Sequence, residues 1–119
     1  MTAAVVSIPG VPITVSATPA DTNEATLFTA GTKGATIVQM IVANVTSGAL
    51  TATIQWNDAT TDWDIYRAKS VAANDSLLFE PFIHLPASGA IKITSSSGNG
   101  LTFTATLVER LGAIGADHE

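Results

Sequence analysis

Three carboxylates fall within seven residues, Asp58, Asp62 and Asp64, in the stretch "WNDATTDWD" between Trp56 and Trp63 and just beyond. Oxygen-rich loops of this kind hold calcium, and two neighbouring carboxylates can divide the work of general acid and general base. The stretch lacks the D-x-[DN]-x-[DN]-G order of a calcium loop, and Asn and Asp also favour turns through hydrogen bonds to their own backbone. It reads first as a solvated turn, with Asp58, Asp62 and Asp64 as a candidate cation site. The two histidines, His84 and His118, lie far apart and outside any carboxylate-histidine motif. No G-x-S-x-G elbow offers a nucleophile, and the Gly98-Asn99-Gly100 triplet is not followed by the helix a phosphate loop needs. No catalytic residue, cofactor or metal ligand set is assigned beyond the acidic turn. Trp56, Trp63 and Tyr66 are the residues that could stack on sugar rings, as a carbohydrate-binding module requires; with both tryptophans turned inward, Tyr66 alone is left to do so.

The elements that carry these residues alternate with period two. Leu50, Ala52, Ile54 and Trp56 interleave with Thr51, Thr53, Gln55 and Asn57, so one face of a strand is apolar and the other polar and β-branched. Folding the chain back at "NDATTD" sets Trp56 opposite Trp63, Ile54 opposite Ile65 and Ala52 opposite Arg67. The same arithmetic around "SSSGNG" pairs Ile93 with Phe103 and Ile91 with Ala105, with Gly98 and Gly100 at the positive-φ positions. Ala35 to Val45 is nearly continuous in apolar residues, as a central strand covered on both sides would be. Ser76 to Leu85 also reads as a strand, but Pro81 lacks a ladder donor and places it at an edge or a bulge.

Similar alternation from Ala25 to Val108, punctuated by Gly, Ser, Asn, Asp and Pro, predicts an all-β domain: a single β-sandwich of about eight strands, jelly-roll or immunoglobulin-like. The predicted core is Ile37, Ile41, Ile54, Trp56, Trp63, Ile65, Leu77, Phe79, Ile91, Ile93, Leu101, Phe103 and Leu107. The sandwich is expected over residues 22–110 and a short tail over 111–119. Residues 1–21 hold Pro9, Pro12 and Pro19 and no charge before Asp21. They read as an extended arm whose Val5, Val6, Ile8, Val11, Ile13 and Val15 bury against a neighbouring chain.

Composition narrows the function. The 119 residues contain no cysteine, so neither disulfides nor thiolate chemistry is available. Five basic against ten acidic residues give a net charge of -5, which disfavours nucleic acid and anionic membranes as partners. No apolar run is long enough to span a bilayer, and the N-terminus lacks the pattern of a secretory signal. The sequons at Asn44 and Asn74 therefore carry little weight. Charged residues amount to 13%, against roughly 25% in ordinary soluble domains, and the mean hydropathy is +0.35. A surface so poor in charge is expected where outer faces are covered by neighbours in an assembly.

Three segments together, "ATLFTAGTKGATIVQMIVANVTSGALTATIQW", "DWDIYRAKSVAANDSLLFE" and "IHLPASGAIKITSSSGNGLTFTATLVE", resemble small all-β structural proteins encoded by tailed bacteriophages. The resemblance runs from Ala25 to Glu109. One departure is that a Gly-Asp turn common in the third segment is here "PASGA", with Gly89 kept and the acid missing. The resemblance implies a non-enzymatic virion component, made in the host cytoplasm and most simply a capsid decoration or cement protein. A neck, head-spike or tail component is the alternative within the same class. Its implied partners are copies of itself, as a symmetric homo-oligomer expected to be a trimer, and other virion proteins such as the major capsid protein.

Overall fold

In the computed structural model, which describes residues 10–109, the alternating stretches become nine β-strands without a helix among the described residues. They are β1 (Val11–Ala17), β2 (Ala25–Thr29), β3 (Ala35–Asn44), β4 (Leu50–Asn57), β5 (Asp62–Val71), β6 (Ser76–Phe79), β7 (Ile83–Leu85), β8 (Ala90–Ser95) and β9 (Leu101–Glu109). The first sheet has the order β1-β9-β3-β6, with β7 also paired to β3; the second has the order β2-β8-β4-β5. All pairs are antiparallel and nested: β1 with β9, β2 with β8, β3 with β6 and β7, β4 with β5. Successive nested pairs fall in opposite sheets, so the chain is one long hairpin, turned at β4–β5 and wrapped into two layers. That connectivity is a jelly roll.

The break between β6 and β7 explains why nine strands occupy eight positions. Pro81 has no amide hydrogen to give, and Phe82 beside it takes a φ of 48°, so the ladder stops and restarts along β3. Both fragments lie at the sheet edge, where the proline was expected. β3 is central, between β9 and β6/β7.

The core lies between the layers. Phe103 and Leu107 from β9, Ile37, Met40 and Val42 from β3, and Ile54, Ile91 and Ile93 from the second sheet are fully buried. Each contributes on the order of 1.5 to 3 kcal/mol by leaving water. Two expected core residues are elsewhere. The register of β3 shifts between Ile37 and Gln39, and the extra residue reverses the parity of the strand. Met40 and Val42 therefore point inward, and Ile41 points out. Trp63 does pair with Trp56, but at the open end of the strands, where it is 49% exposed.

Bulges also displace the rest of that hairpin. Ile54 faces Tyr66 rather than Ile65, and Ala52 faces Lys69 rather than Arg67. Ala68 takes a φ of 50° within the bulge, and its amide donates to Thr53 Oγ1 at 3.0 Å.

The "SSSGNG" segment is not a hairpin turn. β8 and β9 belong to different sheets, and the loop carries the chain across the sandwich. Asn99, with a φ of 59°, is its left-handed residue rather than either neighbouring glycine. Gly98 is required for a different reason: a Cβ there would collide with the Ala20 carbonyl oxygen. The Asn99 amide donates to the Pro19 carbonyl at 2.7 Å, so the crossing loop rests on the chain between β1 and β2.

The N-terminal expectation changes for residues 11–17. They form β1, paired in seven-residue register with β9 of the same chain, and Ile13 and Val15 pack on its own core. Prolines 12 and 19 are compatible with this because β1 is an edge strand and Pro19 lies beyond it.

Candidate functional site

The acidic turn is built around Asp58. Its Oδ1 accepts the Thr60 and Thr61 amides at 3.0 and 2.8 Å and the Thr60 hydroxyl at 2.8 Å, while Oδ2 accepts the Trp63 indole N–H at 3.1 Å. The indole bond and then the two threonines hold the Asp58 carboxyl far below the ordinary carboxylate range. Asp62 accepts from Asn57 at 2.7 Å and lies 3.1 Å from the Lys92 ammonium; both partners lower its pKa, Asn57 more strongly. Asp64 accepts from Gln55 at 2.8 Å and from Arg67 at 2.7 Å, and is lowered by them in that order. Each carboxylate thus has its own donors. Among the described residues no three acidic or imidazole side chains come together as a metal ion needs. A general acid at neutral pH needs a raised pKa; this turn instead keeps three fixed negative charges at one end of the second sheet.

The aromatic residues exchange their expected roles. Trp56 and Trp63 stack with centroids 6.5 Å apart and planes at 28°, and Trp63 is the more open of the two. Tyr66 is half-buried, edge-on to Phe79 at 5.0 Å, with the Lys69 ammonium 5.6 Å from its ring centre. One half-open indole is the exposed aromatic surface of this hairpin.

Asn44, the first sequon position, is 2% exposed. Its amide donates to the Gly48 and Val71 carbonyls at 2.9 and 3.0 Å, and its oxygen accepts from the Thr46 amide and hydroxyl. It ties the β3–β4 crossing to the end of β5 and leaves no free amide for modification. His84 is exposed, opposite Thr36 on the first sheet. Val5, Val6, Ile8 and His118 lie outside the described residues.

The two outer faces differ. On the second sheet, Lys92 sits between Asp62 at 3.1 Å and Glu24 at 3.9 Å, and Arg67 pairs with Asp64 at 2.7 Å. On the first sheet, the alternate positions facing away from the core form cross-strand rows: Ser16, Thr104, Ile41 and Leu78; Thr14, Thr106 and Gln39; and Pro12, Val108, Thr36 and His84. No Asp, Glu, Lys or Arg occupies these rows. Lys92 and Thr104 are near in sequence yet fall on different sheets, a segregation that is hidden strand by strand. Only the nested pairing reveals it.

No family model and no curated protein matches the chain. Among solved structures, the fold is similar to a chain in the cyanophage Pam1 capsid asymmetric unit, with a TM-score of 0.52, 14% identity and coverage of 92% of each chain. It is also similar to a chain of the T13 IBDV viral particle, with a TM-score of 0.55, 10% identity and coverage of 87% of this chain. The present chain spans about a third of that protein, 32% of its length. At these identities the likeness is one of fold.

Proposed function

We propose that this chain is a bacteriophage virion structural protein that decorates or cements the capsid, acting through contacts with copies of itself and with the major capsid protein and without catalysis. The observation that carries the reading is the end-to-end likeness to a chain of the Pam1 capsid asymmetric unit, 92% of both chains. In that match the jelly roll accounts for nearly all of the Pam1 chain, whereas it accounts for 32% of the T13 IBDV chain. The low charge content and the uncharged outer face suit a subunit that is covered on assembly. A trimer is the proposed oligomer. The apolar residues Val5, Val6 and Ile8 are proposed as further contacts to a neighbour.

Capsids lacking the protein, mixed with the purified chain and separated by sedimentation, test the reading. Saturable binding in one set per capsomer, with capsids that survive hotter incubation, is the expected outcome. Binding as a single ring per particle moves the protein to the neck, spike or tail. Failure to bind any part of the particle, together with glycan binding by a monomer, would replace the reading with a carbohydrate-binding one.

A further inference from the structure

The outer face of the first sheet has no task in the fold, and we propose that it is the surface through which one copy of the chain meets another. The inference deepens the proposed assembly role and rests on it. Across β1, β9, β3 and β6/β7, the outward positions carry hydroxyls, apolar groups, the Gln39 amide and the His84 imidazole, but no carboxylate, ammonium or guanidinium. Asp75, Glu80 and Glu109 mark its margins, before β6, in the break after it, and at the end of β9.

Three properties make this face ready to lose its water. Four of its hydroxyls bond in pairs, Ser16 Oγ to Thr104 Oγ1 at 2.6 Å and Thr18 Oγ1 to Thr102 Oγ1 at 2.8 Å, so each of these four keeps a hydrogen-bond partner when covered. Leu78 is 57% exposed although its cross-strand neighbour is Ile41, which leaves an apolar strip uncovered. The face also has adequate area. Four strands about 4.8 Å apart and about eight residues long, at ~3.4 Å each, project roughly 500 Å², a large part of the ~800 Å² per partner of a standard interface.

Charge selects the occupant. At a net charge of -5, two copies repel, and contact through the acidic turn or the second sheet would bring carboxylates together. The uncharged face of one copy avoids this and is matched by the same uncharged face on the next. A partner recognised through opposite charge would instead be drawn to the second sheet.

The test is sedimentation velocity with light scattering at tens of micromolar, on the full chain and two double variants. Leu78→Glu with Thr104→Glu places charge on the first sheet's outer face. Thr26→Glu with Thr94→Glu places the same charge on the outer face of the second. The expected result is an oligomeric parent, an oligomeric second-sheet variant, and a first-sheet variant weakened about a hundredfold or more in self-association with its far-ultraviolet spectrum unchanged. Should that variant lose its β spectrum, Ser16→Lys on the edge strand replaces it. A monomeric parent, or a first-sheet variant as oligomeric as the parent, overturns the proposal. Capsid binding is measured separately: attachment by an oligomer that the face variant does not disturb rejects this interface and keeps the decoration reading. An oligomer broken by the variant but indifferent to capsids does the reverse.

Discussion

The outer faces of the two sheets are made from the same alternation of threonine with apolar residues, yet one is laced with ion pairs and the other has no charge. On the second sheet, Lys92 bridges Asp62 and Glu24, and Asp64 holds Arg67. On the first, Ser16 and Thr104 hold each other. The difference comes from topology. Nested pairing sends β2, β4, β5 and β8 to one layer and β1, β3, β6, β7 and β9 to the other, and apart from Glu109 at the end of β9 the charged strand residues lie on β5 and β8 of the first group. A charged surface and an uncharged one are thereby sorted by connectivity, on a chain whose strands look alike one at a time.

The core beneath both faces gives the largest expected effect. Phe103 is the largest fully buried side chain among the described residues, and Phe103→Ala should remove about 3 to 5 kcal/mol in urea unfolding. A loss below about 1 kcal/mol would mean that the layers are not joined there. Next is Asn44, where the chain crosses from the first sheet to the second. Asn44→Ala takes the side-chain donor from the buried Val71 carbonyl, while the Gly48 carbonyl keeps the Thr46 hydroxyl, and should cost about 1 to 3 kcal/mol by the same measurement.

Salt sharpens the contrast between the faces. Lys92→Met should cost about 1 kcal/mol or less at low ionic strength, and the cost should shrink as salt is added. Thr104→Val on the first sheet should show a cost that salt does not alter. Equal salt dependence at both positions would break the comparison. The smallest effect is one of pH. The folded pKa values of Asp58, Asp62 and Asp64 are depressed, so their stabilisation is fully present above the ordinary carboxylate pKa and is lost as pH falls through the folded values. Thermal melts taken from pH 5 downward should show the parent losing stability more steeply than Asp58→Asn; parallel curves would show that the Asp58 turn contributes nothing.

What was legible in the chain follows the same division. Period-two alternation revealed the strands and most of the core because side-chain parity is a local property: Ile54, Ile91, Ile93, Leu101, Phe103 and Leu107 are all buried as expected. Pro81 marked an edge because a missing amide hydrogen has a local consequence. Ile41 was misplaced because one bulged residue reverses parity without any sign in composition. β8 and β9 were joined as a hairpin because adjacency in sequence cannot tell a turn within a sheet from a crossing between sheets. The acidic turn was legible as a turn; that each carboxylate has separate donors required the register of β4 on β5.

The most direct test of the proposed capsid role is a reconstruction, at a resolution that traces strands, of the particle the chain is proposed to join. The account predicts this jelly roll in symmetric clusters on the capsid, with the outer face of the first sheet turned toward a neighbouring copy and the Lys92–Asp62 face left in solvent. Isolated copies with the first sheet facing water, or a particle without the chain, would contradict it.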